Sequence, residues 1–169
     1  MAMKILIAYY SRTGNTRRVA EALAEVLRSG QEPGVEVVLE EIIDRKSRKG
    51  LMGFLGGGLD ATFKSATDIE PPGNNPGDFD LVVVGTPVWA WTAAPAALTY
   101  CRRRCRGAAR RAAFFCTMGS SGDRGTFSAM QEAVGDDPVA TLALKDRQVK
   151  KAESPAALVE GFAGRLLNE

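Results

Sequence analysis

Near-continuous apolar runs recur along the chain at 5–10, 35–39, 81–85, 112–116 and 139–144. Runs this short and this uniformly apolar suit strands covered on both faces, as in a parallel sheet. Between them the apolar positions switch to a helical period. Val19, Leu23 and Leu27 follow one another at four-residue steps within 16–29, and Gly30 stands ready to end that helix. Segments 93–106, 126–134 and 155–167 carry the same period less cleanly. Strand and helix thus alternate with short connections, which predicts an α/β fold: a parallel sheet doubly wound by helices, with right-handed crossovers. One stretch resists the scheme. Residues 44–75 hold a basic run, a glycine-rich segment around Gly56-Gly57-Gly58, and Pro71-Pro72-Gly73-Asn74-Asn75-Pro76. No strand leads into those glycines and their spacing fits no nucleotide fingerprint, so the reading is a flexible insertion or flap.

At 169 residues, the chain is expected to be a single domain, 1–169, that includes this flap. Its 22 basic and 20 acidic side chains leave +2, too little to imply nucleic acid or an anionic membrane as partner. Histidine is absent, which removes the commonest general base, the Ser-His-Asp and Cys-His arrangements, and any His-ligated metal site. The three cysteines are an odd number without zinc spacing, so a reducing, cytoplasmic setting is expected, with no metal. The first residues turn polar too soon for a signal sequence, and no apolar run approaches about 18 residues, so no membrane insertion is expected.

In an open parallel sheet, ligands bind where strands deliver their carboxyl ends. After the first apolar run comes Ser11-Arg12-Thr13-Gly14-Asn15-Thr16, hydroxyls and an amide around a glycine, opening onto a helix. Unpaired N–H groups of a first helical turn, the positive end of the helix dipole and short hydroxyl donors can together hold a phosphate. Arg12, Arg17 and Arg18 add positive field. The same residues would serve equally as an ordinary helix cap. A Walker loop, a G-x-G-x-x-G fingerprint and the acidic cluster of a phosphoacceptor are all missing at this point. After the third run stands Gly85-Thr86-Pro87-Val88-Trp89-Ala90-Trp91-Thr92, with both tryptophans of the chain. A flat ligand would give them stacking partners; folding back over the sheet edge is the alternative. After the fourth run, Thr117-Met118-Gly119-Ser120-Ser121-Gly122 is again rich in glycine and hydroxyls, which suits close backbone approach to a ligand or a plain helix cap.

The run from Ile7 to Thr16, with Val19, Ala20 and Leu23, resembles the N-terminal signature of the flavodoxin family, and Ala8 is its one departure. Gly85-Thr86-Pro87-Val88-Trp89 and Thr117-x-Gly119-Ser120-Ser121-Gly122 resemble the family's two loops that face the isoalloxazine ring. The resemblance implies a flavodoxin-like three-layer α/β/α sandwich whose five-stranded parallel sheet runs in the order 2-1-3-4-5. It also implies noncovalent FMN. Ser11, Arg12, Thr13, Gly14, Asn15 and Thr16 would hold the phosphate. Pro87, Val88, Trp89, Ala90 and Trp91 would line the ring and ribityl chain, and Thr117, Met118, Gly119, Ser120, Ser121 and Gly122 would lie opposite. FMN supplies redox chemistry that side chains lack, so no side chain is named as catalytic.

Two departures from a familiar flavodoxin bear on function. Between Leu81 and Gly122 there is no acid, while Arg102, Arg103, Arg104, Arg106, Arg110 and Arg111 all fall there. If these faced the flavin they would favour an acidic redox partner or a phosphorylated nicotinamide; otherwise they are a solvated face. Ala90 stands where several flavodoxins place a glycine that lets a peptide flip beside the flavin, and its side chain penalises positive φ. Strong stabilisation of a one-electron-reduced flavin is therefore not expected. The leading expectation is an FMN-binding electron-transfer protein serving a redox partner or a small acceptor such as a quinone. The alternative is an NAD(P)H-dependent quinone or flavin reductase. Cys101 and Cys105 lie one helical turn apart and are assigned to packing.

Overall fold

The computed structural model describes residues 2–30, 34–46 and 66–168. Five strands run parallel: β1 (Met3–Tyr9), β2 (Val35–Glu41), β3 (Leu81–Trp89), β5 (Ala112–Met118) and β6 (Thr141–Lys145). They lie in the order β2-β1-β3-β5-β6, and a two-residue strand β4 (Thr92–Ala93) folds back antiparallel on β3. Counting the long strands in chain order gives the expected 2-1-3-4-5. The helices are α1 (Asn15–Ser29), α2 (Pro95–Tyr100), α3 (Asp123–Val134), α4 (Asp146–Lys151) and α5 (Ala156–Asn168).

Alternation along the strands divides the core into two layers. Ile5, Ile7 and Tyr9 of β1 point with Leu81, Val83, Ala113 and Phe115 toward Leu23 and Leu27 of α1 and Phe162 and Leu166 of α5. Leu6 and Ala8 point the other way, with Val82, Val84 and Phe114, toward Tyr100, Met130 and Val134. Each buried Leu, Ile or Phe is worth about 1.5–3 kcal/mol of transfer free energy, so both faces must be covered for the sheet to persist. Gly85 lets β3 pass under an aromatic ring: a Cβ there would sit 2.0 Å from the Phe115 ring.

Three departures from the sequence pattern have local causes. Helix 93–106 begins at Pro95 and, after Tyr100, widens into a π-helical turn at Cys101–Cys105, closed by the Arg106 N–H on the Cys101 carbonyl at 3.0 Å. Helix α4 is a six-residue, polar element that the periodicity did not announce. The described ends of 44–75 are tied down. Asp44 bridges Ile69, the Thr67 hydroxyl donates to Asp44 at 2.8 Å, and Glu40 accepts from Asn74 and from the Tyr100 hydroxyl. The rest of the expected flap, 47–65, lies outside the described residues.

Candidate functional site

The loop between β1 and α1 is shaped by one glycine and one hydroxyl. Gly14 takes φ 97° at the helix start, a conformation open to glycine. Ser11 Oγ accepts from the N–H groups of Gly14 and Arg17, both at 3.2 Å, so Ser11 holds the loop in shape. Among the described residues, the N–H groups of Thr13, Asn15 and Thr16 have no acceptor. They are the unpaired donors that a first helical turn leaves for an anion. Behind them the hydroxyls of Thr16 and Thr117, both buried, are hydrogen-bonded at 2.8 Å and join this loop to the end of β5.

The three arginines of this region do different things. Arg17 makes a hydrogen-bonded ion pair with Glu41 of β2, a contact that raises its own pKa, and also bonds the Tyr9 hydroxyl. Burial raises the Tyr9 phenol. Arg18 donates to the carbonyls of Val149, Ala152 and Glu153 at 3.0, 2.6 and 3.4 Å. Arg12 is exposed and lies over the Trp89 ring, 5.7 Å from its centre. Of the three it is the one that lines the cavity described next.

A cavity of about 370 Å³ opens at the carboxyl ends of the strands, lined by Arg12, Thr13, Thr16, Pro87, Val88, Trp89, Thr117 and Asp146. The sequence pointed to all of these except Asp146, which follows β6 on the unannounced helix α4. Trp89 is only 8% exposed and meets Tyr10 edge-on at 5.5 Å, so it forms a fixed wall. Trp91 is 71% exposed. Between them the chain reverses in two residues, because Trp89 pairs with Thr92 across the β3–β4 hairpin. Such a turn needs positive φ at both central residues, and Ala90 and Trp91 supply 48° and 62° without a glycine. Ala90 thus adopts the conformation that its Cβ disfavours.

Neighbouring contacts hold this hairpin in place. The buried Thr86 hydroxyl donates to the Pro87 carbonyl at 2.9 Å and accepts from the Ala94 N–H at 3.0 Å. On the other side the first turn of α3 presses against it. A Cβ on Gly125 would stand 2.3 Å from the Trp91 carbonyl oxygen, and one on Gly122 would stand 2.6 Å from Val88 and 3.1 Å from Trp91 Cα. Ala90, Trp91 and Gly122 therefore adjoin Val88 and Trp89 of the cavity wall without lining it. Gly119, Ser120 and Ser121 continue the chain beyond Met118; the two serines are exposed, and a Cβ on Gly119 would meet only open space. Ser11, Gly14 and Asn15 shape the turn into α1, and Met118 is buried at the end of β5.

The arginines of 102–111 lie elsewhere. Helix α2 runs away from the hairpin toward the amino-terminal edge of the sheet, where β5 begins, so these residues occupy the pole opposite the cavity. There Arg110 pairs with Asp80 at 3.4 Å, Arg106 donates to the Glu132 carbonyl at 3.1 Å, and Asp136 and Asp137 share an open depression with Arg106. Charge segregated along the chain is in part met by groups from other segments, and it gives the cavity no basic surround. Cys101 is buried and its thiol is raised well above the ordinary range by its hydrogen bond with Cys105 and by burial. Burial likewise pushes Cys116 up to about 12. Neither Cys101 nor Cys116 has the character of a nucleophile.

Free amides, an apolar wall and a glycine-bearing helix start thus meet at the switch point of a doubly wound sheet, where such folds bind ligands. The family model for flavodoxin matches residues 4–153, and the chain belongs to the flavodoxin family. Family membership gives FMN as its cofactor. Solved structures show the same fold. A flavoprotein from Lactobacillus acidophilus in complex with FMN is 21% identical, with a TM-score of 0.67 over 89% of this chain and 98% of that one. A flavoprotein from Bacteroides uniformis gives 20% identity and 0.74 over 97% and 99%. Oxidised flavodoxin 2 from Bacillus cereus gives 17% and 0.61 over 97% of each. No described helix is long and apolar enough to cross a membrane.

Proposed function

We propose that this chain is an FMN-dependent electron-transfer protein that passes reducing equivalents to a partner protein or a small acceptor such as a quinone. The observation that carries the reading is the cavity itself, with unpaired amides at one end and Pro87, Val88 and Trp89 at the other. In this reading the N–H groups of Thr13, Asn15 and Thr16, with the Thr13 hydroxyl, hold the phosphate, and Arg12 adds the positive charge. Val88, Trp89 and the Ala90-Trp91 turn border the ring, and 119–122 face it from the far side. Bound FMN supplies the capacity to accept and release electrons; the chain supplies position, exclusion of water and local polarity.

An NAD(P)H-dependent reductase is the less favoured reading, because the arginines that would attract a phosphorylated nicotinamide sit at the opposite pole. Three buried thiols with no disulfide suit a reducing, cytoplasmic setting. The test is titration of the flavin-free protein with FMN and riboflavin, followed by anaerobic reduction and mixing with a quinone. Strong preference for FMN, and reoxidation by the acceptor without steady-state consumption of NAD(P)H, is the expected result. Equal affinity for FMN and riboflavin would refute the phosphate assignment, and sustained NAD(P)H turnover would make the chain a reductase.

A further inference from the structure

The short helix α4 stands beside the mouth of the cavity, and its charge is one-sided. Lys145, Arg147, Lys150 and Lys151 follow closely on one another, with Asp146 the one acid among them. Arg147, Lys150 and Lys151 are exposed, Lys145 is half-buried, and none of the four has an ion-pair partner among the described residues. At about 1.5 Å per residue α4 is roughly 9 Å long, so these charges stay close to the wall that Asp146 lines. The helix is held there: Val149 is fully buried in the α1 layer, and Arg18 donates to the Val149 and Ala152 carbonyls at 3.0 and 2.6 Å. Lys150 and Lys151 suit the carboxyl end of a helix, but Arg147 lies three and four residues before them and repels both. The fold gains little by gathering these cations. Arg12 and Arg124, both exposed and outside any ion pair, carry the same sign around the mouth, against the carboxylates of Asp123, Asp146 and Glu153 on the same segments.

The chemistry of the cations narrows what they meet. Of α4 only Asp146 lines the cavity, so Arg147, Lys150 and Lys151 face solvent and do not converge on a small phosphate inside it. Lysine predominates, a hydrated point charge that suits solvated carboxylates, where arginine would grip a phosphate bidentately. At the same pole Trp91 stands out of the hairpin, the most exposed large apolar side chain among the described residues. An aromatic anchor with charge around it is the composition of a protein interface. Electron transfer calls for brief encounters through small interfaces, in which complementary charge raises the rate of association more than the affinity. We propose that α4, with Arg12 and Arg124, is the docking surface for an acidic redox partner protein, whose carboxylates its field steers to the flavin end of the molecule. The inference rests on the FMN reading above and adds the sign of the partner's charge.

The experiment mixes the photoreduced, FMN-loaded protein in stopped flow with plastocyanin, an acidic one-electron acceptor protein, and separately with cytochrome c, a basic one. Between about 20 and 300 mM salt the plastocyanin rate should fall about tenfold or more, while the cytochrome c rate holds or rises. Arg147→Gln combined with Lys150→Gln and Lys151→Gln should lower the plastocyanin rate about tenfold at low salt and flatten its salt dependence. The same variant should weaken binding of labelled plastocyanin, read by anisotropy, and leave the flavin spectrum and the FMN dissociation constant unchanged. Arg102→Gln combined with Arg103→Gln removes exposed charge at the opposite pole and should change none of these. Equal losses in both variants would reduce the effect to net charge and overturn the proposal. A plastocyanin rate that rises with salt, or that the α4 variant leaves untouched, would overturn it too. So would α4-dependent binding of duplex DNA or phosphatidylserine vesicles, or α4-dependent reduction by NADPH, beside an indifferent plastocyanin rate. If the triple variant fails to fold, Lys150→Gln alone, with a smaller loss of the same kind, carries the comparison. Failure of the FMN reading itself looks different, because the wild type would then take up no flavin whose reoxidation could be followed.

Discussion

Replacing Gly125 by alanine sets two known effects against each other at the edge of the site. Gly125 lies in the first turn of α3, is exposed, and a Cβ there would meet the Trp91 carbonyl oxygen at 2.3 Å. Ordinary contact requires about 1 Å more, and the obstacle is backbone. The hairpin has little slack to give, because Ala90 and Trp91 are already in the left-handed region and Thr86 fixes both its strands. Overpacking of this kind costs about 1–3 kcal/mol, while Gly→Ala within a helix gains about 1 kcal/mol. Gly161→Ala, at an exposed position of α5 with open space at its Cβ, gains the helix propensity alone. The two variants should therefore differ by about 1–3 kcal/mol, or roughly 2–12 °C in Tm for a chain of this size. Gly125→Ala should also weaken FMN, since the hairpin that it displaces carries Val88 to Trp91. Thermal melts and flavin titrations of both variants would decide the matter. If Gly125→Ala proves as stabilising as Gly161→Ala and leaves flavin affinity untouched, the clasp between α3 and the hairpin has been misread.

Other variants probe other layers of the argument. Thr13→Ala should lower FMN affinity by about tenfold or more through the lost charge-assisted hydrogen bond of its hydroxyl and change riboflavin affinity little; equal losses would place the phosphate elsewhere. Gly85→Ala drives a Cβ into the Phe115 ring at 2.0 Å and should cost about 3 kcal/mol or more, read from urea midpoints; a neutral result would contradict the strand packing. Cys116 has a folded pKa of about 12 against an ordinary 9.0, so its contribution is complete below pH 9 and is lost as pH rises toward 12. Cys116→Ala should therefore flatten the alkaline decline of stability by up to about 1.4 kcal/mol per pH unit, measured by denaturation across that window. An unchanged slope would show that the thiol is not buried as described.

The sheet was legible because its strands are apolar on both faces, and α1 because Val19, Leu23 and Leu27 mark one face and Gly30 its end. The turn between β1 and α1 was legible because Gly14 and the hydroxyls crowd the strand-to-helix junction. The β3–β4 hairpin was not, since a two-residue turn is announced by Asn-Gly or Gly-Gly and here reads Ala90-Trp91. Asp146 was hidden for a different reason. Its helix is short and polar, with only Val149 buried, so no period betrays it, although Gln148 three residues after Lys145 is the kind of pairing that opens a helix. The run of arginines left two readings open: Arg110 meets Asp80 and Arg106 meets the Glu132 carbonyl only in the folded molecule, and sequence distance conceals both contacts.

Arg18 reaches carbonyls as far along the chain as Glu153, and Thr16 reaches Thr117. During synthesis the opening loop therefore gains these braces only after residues past Glu153 have left the ribosome. Loading with the yellow cofactor should wait for that segment, and any truncation upstream of that arginine's acceptors should leave a product that stays colourless.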